Sequence, residues 1–425
     1  MKIEKIVHEK LDEFYYKINH DSGLTIYVMP KPGYASSYAV FGTKYGSIDT
    51  CFRLEGEEEF TTVPEGIAHF LEHKLFESEE LDAFQLYAQT GANANAYTSF
   101  DRTCYIFACT GDFKGSLKIL LDFVQSPYFT QKTVEKEQGI IGQEIKMTQD
   151  NPGWALLFNL LECLYHNHPV KIEIAGTVDS IAKIDADLLY KCYNTFYSLS
   201  NMTLCVAGNV SVDDVLEIAD AQLKKSEPKV IERTFPEEPD EIVCDYKEVS
   251  LPVSSPLFML GFKEKMDSTE RSLKERIAAK VLMEILCGDS SELYKELFNE
   301  NLINTTFSFE YFNGFGHSAC FFEGESNDPK KVRDRIIEGV RKLRENGIDE
   351  KEFIRVKKAL YGAMVMEYND VDDLANSLAE AHFDNIGFFD DFKVIEELTV
   401  EDVKSVLDYA LKPEYCALSV ISPKE

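Results

Sequence analysis

No stretch of this chain approaches the roughly 18 uninterrupted apolar residues that a membrane-crossing helix requires. The richest run, "WALLFNLLECLY" (154–165), is shorter and is interrupted by Glu162. The opening "MKIEKIVHEKLDEFYYK" lacks the apolar core of a secretory signal. The ten cysteines form no C-x-x-C pair and no cluster, and Cys104, Cys109, Cys205 and Cys416 fall in apolar, strand-like runs. That pattern argues against a disulfide scaffold and points to reduced, buried thiols. Positive charge is scarce, 44 Lys and Arg against 74 Asp and Glu, for a formal charge of −30. Such a balance argues against nucleic acid and anionic membrane as partners. Together these absences lead us to expect a cytoplasmic protein.

What is present belongs to a globular chain: 44% hydrophobic and 12% aromatic residues over 425 positions, too many for one compact core. "GLTIYVMP", "SSYAVFGTKYGSI" and "TCYIFACT" are rich in β-branched and aromatic residues and read as strands. "GSLKILLDFVQSP" and "DADLLYKCYNTFY" carry apolar residues at helical spacing. The halves also resemble each other. "KIDADLLYKCYNTFYSLSNMTLCVAG" (183–208) aligns without a gap on "ELTVEDVKSVLDYALKPEYCALSVIS" (397–422). Ile184 falls on Leu398, Leu189 on Val403, Cys192 on Val406, Leu204 on Leu418 and Val206 on Val420. A duplicated α+β unit follows. The proline-bearing, charged stretch "KKSEPKVIERTFPEEPDE" (224–241) reads as a linker, giving domains at 1–225 and 246–425 around 226–245.

Histidine is the other scarce residue, eight in all, yet "GIAHFLEHKLFE" (66–77) holds two of them with a glutamate within five positions. The preceding "TTVPEG" offers Thr61 or Thr62 as a cap and Pro64 for a first turn, so a helix is expected here. His69 and His73, four apart, then project from one face, the spacing two imidazoles need to share an ion. Glu72 lies on nearly the same face, beside the ion without having to bind it, as a general base acting on water should. Two specified histidines and a glutamate at fixed spacing arise by accident roughly once in a hundred chains of this composition. H-x-x-E-H is the signature of the inverzincins. A catalytic zinc usually takes three protein ligands. "TVEKEQGIIGQEIKM" (133–147) offers Glu137 and Glu144, two helical turns apart on one face, as candidates for the third. "HNHP" (166–169) sets two more histidines alternately, for which ordinary hydrogen bonding is expected.

"HFLEH" followed by "E-x6-E-I-K-M" resembles the zinc peptidase family of pitrilysin, insulin-degrading enzyme and mitochondrial processing peptidase. The resemblance extends through "KYGSIDT", "GANANAYTSFDRTCYIF", "HPVKIEIAGT" (168–177) and the duplicated halves. Its wording is most similar to the cytosolic bacterial branch whose members work as unlike pairs. It implies two homologous α/β-roll domains with antiparallel-rich sheets backed by helices, together half of a clamshell. It further implies His69, His73 and Glu144 as zinc ligands, Glu72 as general base and Glu137 as the carboxylate orienting a ligand. In "NANAYTSF" (93–100), Asn95, Ala96, Tyr97 and Thr98 would form an edge strand on which an extended peptide lies.

The resemblance fails at one place. Active single-chain relatives carry an Arg and, seven residues on, a Tyr that hold the substrate. Here "SSELYKELFNENLINTTFSFEY" (290–311) puts Phe298 and Thr305 at those positions, and no Arg occurs from 277 to 332. The resemblance thus implies a zinc endopeptidase subunit acting on short or unfolded peptides, or on a precursor's leader, with a homologous non-zinc partner supplying the Arg and Tyr. Two alternatives compete with it: a catalytically weak structural or peptide-holding subunit of the same fold, and a zinc-binding regulator.

Overall fold

The computed structural model describes residues 1–79, 82–266 and 268–424. The chain forms two compact units assembled from interleaved segments. The first comprises Met1–Ile145, Glu173–Thr234 and Val365–Phe389; the second comprises Lys146–Ile172, Phe235–Met364 and Asp390–Glu425.

Among the described residues the first unit contains ten strands: β1 (Lys2–His8), β2 (Glu13–Asn19), β3 (Thr25–Pro30), β4 (Ser37–Thr43), β5 (Cys51–Leu54), β6 (Thr61–Thr62), β7 (Asn93–Thr98), β8 (Thr103–Cys109), β9 (Met202–Gly208) and β10 (Ile231–Arg233). Seven form one sheet in the order β1-β2-β3-β9-β4-β8-β7, antiparallel except where β3 meets β9. Strands β4 and β9 are buried at every position, which requires cover on both faces. One face carries a core built with helices such as Phe113–Val124 and Ala186–Phe196. The other packs Tyr27, Val40 and Cys205 against Leu374, Leu378 and Phe383 of the helix Val371–Phe383, contributed from late in the sequence.

The second unit has β11 (Tyr246–Leu251), β12 (Leu257–Lys263), β13 (Ser308–Gly314), β14 (His317–Glu325) and β15 (Cys416–Pro423), ordered β11-β15-β12-β14-β13. The helix Pro152–Leu164, the apolar run noted above, belongs to this unit. It lies so close to the sheet that a Cβ on Gly261 would stand 2.9 Å from side-chain carbons of both Leu160 and Leu164. Each half of the sequence therefore lends one helix to the other half's sheet. This exchange is why the compact units are not continuous stretches of sequence.

The internal repeat survives as geometry. Helix Ala186–Phe196, the 3-10 turn Leu199–Asn201 and β9 recur at the aligned positions as Val400–Tyr409, Pro413–Tyr415 and β15. Their caps, Asp185 and Thr399, are aligned too. The stretch read as a linker is not a free tether. Ile231–Arg233 pairs with β5. Beyond it, Glu238 accepts the N–H groups of His166, Asn167 and His168 at 2.7–2.9 Å and pairs with Lys263 at 2.7 Å. Among the described residues no helix is long and apolar enough to cross a membrane.

Candidate metal and catalytic site

The helix carrying the two close histidines spans Ile67–Leu75 and starts differently from the sequence expectation. Thr61 and Thr62 are taken up as β6, paired with Phe52 and Cys51, and the N-cap is Gly66, with no side-chain cap. Gly66 has φ 85°, and a Cβ there would meet the Ala175 carbonyl oxygen at 2.3 Å. Only glycine fits both the left-handed backbone and that approach. Ile67, Ala68, Phe70, Leu71 and Leu75 then anchor the helix in the core, leaving His69, Glu72 and His73 on its remaining side.

The helix Gln131–Gln149 supplies the other half. Val134, Ile141 and Ile145 are fully buried and fix its rotation, so Glu137 and Glu144 share the face turned to the histidines. Glu137 Oε1 is 3.1 Å from His73 Nδ1. Glu144 Oε1 lies 3.6 Å from His69 Nε2, and its Oε2 lies 3.4 Å from His73 Nε2. The imidazole centroids are 4.6 Å apart. One ligand atom each from His69, His73 and Glu144 lies within 4.8 Å of the others, and this is the one metal-competent group of His, Cys, Asp and Glu among the described residues.

These separations suit a cation better than a hydrogen bond. Charge-assisted N–H···O bonds close to about 2.7–2.9 Å. Zinc bonds of about 2.0–2.2 Å put tetrahedral neighbours about 3.3–3.6 Å apart. The two Nε2–oxygen distances fall in that second range. A donor set of two imidazoles and a carboxylate, with two further carboxyl groups beside it, matches zinc chemistry.

Burial pushes the His73 imidazole down, but the hydrogen bond to Glu137 and the charges of Glu72, Glu144 and Glu137 outweigh it, so its pKa rises above 6.5. Glu144 is held below the usual carboxylate range by the facing imidazoles, His69 first and then His73, against a smaller rise from burial. The two imidazoles are held unequally. His73 has Glu137 behind it, whereas His69 Nδ1 is buried without a hydrogen-bond partner.

Strand β7 lies at the sheet edge, paired only with β8. Its side chains alternate. Ala94 and Ala96 pack on the core that includes the histidine helix, whereas Tyr97 turns to the opposite core and donates to Asn376 Oδ1 at 2.9 Å. Asn95 is exposed, and its Oδ1 accepts the Ala96 N–H at 2.9 Å, so that N–H takes no part in the β7–β8 ladder. Thr98 donates its hydroxyl to Glu72 Oε2 at 2.6 Å. That contact escaped the sequence reading, in which Thr98 figured as part of the ledge; only the fold brings it beside a residue 26 positions earlier.

The remaining candidates lie elsewhere. His168 is buried, donates from Nε2 to the Phe315 carbonyl and accepts the Val170 N–H at Nδ1, an ordinary satisfied histidine. Phe298 ends the helix Glu292–Asn299 with 42% exposure, and Thr305 is exposed before β13.

Comparison with known proteins agrees with this geometry. The family model described as insulinase, peptidase family M16, matches residues 61–178, and the one described as the peptidase M16 inactive domain matches residues 183–360. An uncharacterized zinc protease of Bacillus subtilis, YmfH, is 40% identical over 427 residues, spanning 99% of this chain and 100% of its own. The crystal structure of an M16-like peptidase from Alicyclobacillus acidocaldarius superposes with a TM-score of 0.91 at 34% identity, covering 100% of this chain and 99% of that one. Pitrilysin, at 18% identity and a TM-score of 0.76, shares the fold over 100% of this chain and 47% of its own. With one family model over each half and relatives matching along its whole length, the chain belongs to peptidase family M16.

Proposed function

We propose that this chain is the zinc-bearing subunit of a peptidase that cuts extended or unfolded peptides and is completed by a second, homologous chain. The observation that carries the reading is the convergence of His69, His73 and Glu144 ligand atoms within 4.8 Å, with Glu72 on the same helix as the histidines.

Bound there, zinc would supply Lewis acidity toward a peptide carbonyl and toward water. Glu72 takes the proton of the attacking water and returns it to the leaving amine. Its Oε2 is occupied by the Thr98 hydroxyl, which holds the carboxylate and leaves Oε1 for the water. Glu137, against His73 Nδ1, fixes the tautomer whose Nε2 lone pair faces the ligand position. The open edge of β7 offers backbone groups to an extended peptide, a mode that accepts many sequences. Asn95 would release the Ala96 N–H as a peptide docks.

Phe298 and Thr305, standing where the family resemblance calls for Arg and Tyr, support the need for a partner. The test measures cleavage of an unstructured, quenched peptide by the zinc-loaded chain, alone and mixed with a homologous chain that lacks H-x-x-E-H. Cleavage that requires the mixture and vanishes with Glu72→Gln, zinc still bound, is the expected result. Equal rates for the chain alone would remove the partner. Unchanged cleavage by Glu72→Gln would remove Glu72 from the mechanism, and no cleavage in any mixture would favour a structural subunit.

A further inference from the structure

Cys163 and Cys244 stand apart from the other eight cysteines. Their Sγ atoms are 2.9 Å apart, inside the roughly 3.5–4.0 Å at which non-bonded heavy atoms rest and within a small rotamer adjustment of a disulfide of about 2.05 Å. The backbone holds them in this register. Val243 and Cys244 both donate their N–H groups to the Cys163 carbonyl, at 2.7 and 3.3 Å. Lys247, three residues beyond Cys244, pairs with Glu162, the residue before Cys163. Cys163 is fully buried in the last turn of the helix Pro152–Leu164, whereas Cys244, just before β11, is exposed. The remaining cysteines are buried, apart from partly exposed Cys51.

We propose that Cys163 and Cys244 form a reversible disulfide, a modification site that responds to peroxide-class oxidants and to thiol reductants. Cys244 is the sulfur that solvent reaches. Burial, with the Cys244 sulfur beside it, pushes the Cys163 thiol up. Hydrogen peroxide oxidises the Cys244 thiol to a sulfenic acid, its O–O bond breaking with release of one water. The Cys163 sulfur then attacks the Cys244 sulfur and displaces hydroxide, which leaves as a second water with the Cys163 proton. Two thiols and one peroxide thus give one disulfide and two waters. A dithiol reverses the step by exchange, returning two electrons and two protons.

The consequence lies in the chain's path. The loop closed between 163 and 244 contains two of the five passages of the chain between the compact units, at Ile172–Glu173 and Thr234–Phe235. Closing so long a loop restricts the unfolded chain strongly, so oxidation would make the protein harder to unfold.

The test uses full-length protein, reduced, desalted, treated with hydrogen peroxide, capped with N-ethylmaleimide and mapped by mass spectrometry without reduction. The expected product is a Cys163–Cys244 linked peptide that disappears on adding dithiothreitol. It should be absent from Cys244→Ser, an exposed change that leaves the core intact, and retained in Cys51→Ser. Recovery of Cys163 as a capped thiol, with Cys244 either capped or carried on to sulfinic acid, would overturn the proposal. So would recovery of Cys163 linked to a cysteine other than Cys244.

Discussion

Five strands run in the same order in both units, β3-β9-β4-β8-β7 in one and β11-β15-β12-β14-β13 in the other, with one parallel pair at the same place in each. Each unit places a pair of helices between its third strand in that order and its free-edge strand. In the first unit the leading helix is Ile67–Leu75, with His69, Glu72 and His73; in the second it is Leu273–Cys287, whose Ile277, Ala278, Val281, Leu282 and Leu286 are buried. The helices that follow β8 and β14 differ similarly. Gln131–Gln149 brings Glu137 and Glu144 to the histidines, while Glu350–Glu367 brings no ligand to a metal-competent group among the described residues. The scaffold is therefore indifferent to the chemistry. A handful of side chains on two helices separates a candidate metal centre from a packed core.

Each unit also buries a carboxylate just after the second of its central strands. Asp49 accepts from Arg233 at 2.6 Å, and Glu264 accepts from Arg271 at 3.3 Å and from Tyr311 and Ser318 at 2.9 Å. Burial raises both carboxyl pKa values despite the arginines. The two pairs differ in exposure, Arg233 at 20% and Arg271 at 5%.

Substitutions that treat the units unequally sharpen the comparison. The largest effect is expected from Glu72→Gln, which should lower peptide cleavage about 10²–10⁴-fold, the usual worth of a positioned base, while zinc content stays unchanged. Next, Arg271→Ala should cost about 3–5 kcal/mol in denaturant unfolding, because it strands the Glu264 carboxylate in a dry environment. Arg233→Ala should cost less, since Arg233 is itself partly solvated and Asp49 keeps the Gly46 N–H at 2.9 Å.

Acid supplies a third test. Burial drives His168 in the second unit and His382 in the first down to about 4. The unfolded chain binds those protons near pH 6.5 and the folded chain does not, so stability is intact above that value and falls as pH drops from about 6.5 toward 4. His168→Gln should remove about 3 kcal/mol of that acid-dependent loss, read as a flatter melting temperature across the window. The smallest effect is expected from Glu137→Gln, which should weaken zinc binding about 10–100-fold, measured by competition with a chelator, without abolishing it.

Much of the candidate site was legible because its chemistry is local in sequence. The i,i+4 histidines, the glutamate between them and the two glutamates seven apart need only a helix to meet, and helical periodicity was visible around both. The repeat was legible because burial demands the same apolar positions twice. What escaped the reading depends on distant contacts. Gly66 caps its helix because Ala175 approaches it, whereas the local threonines suggested a conventional cap. The exchange of Pro152–Leu164 and Val371–Phe383 leaves no local mark. A hint existed in "WALLFNLLECLY", since a helix apolar nearly all round asks to be buried, but nothing near it names the sheet that buries it. The Thr98–Glu72 and Cys163–Cys244 contacts were silent for the same reason.

The proposed chemistry requires one divalent ion held by residues from both helices. X-ray absorption spectroscopy at the zinc edge, on full-length protein loaded with one equivalent and on Glu144→Ala, tests that most directly. The expected result is one tightly held zinc with two imidazole nitrogens and light-atom oxygen ligands at about 2.0–2.2 Å, and a sharp loss of affinity in the variant. A chain that retains no zinc, or a spectrum unchanged when Glu144 or His69 is removed, would contradict it.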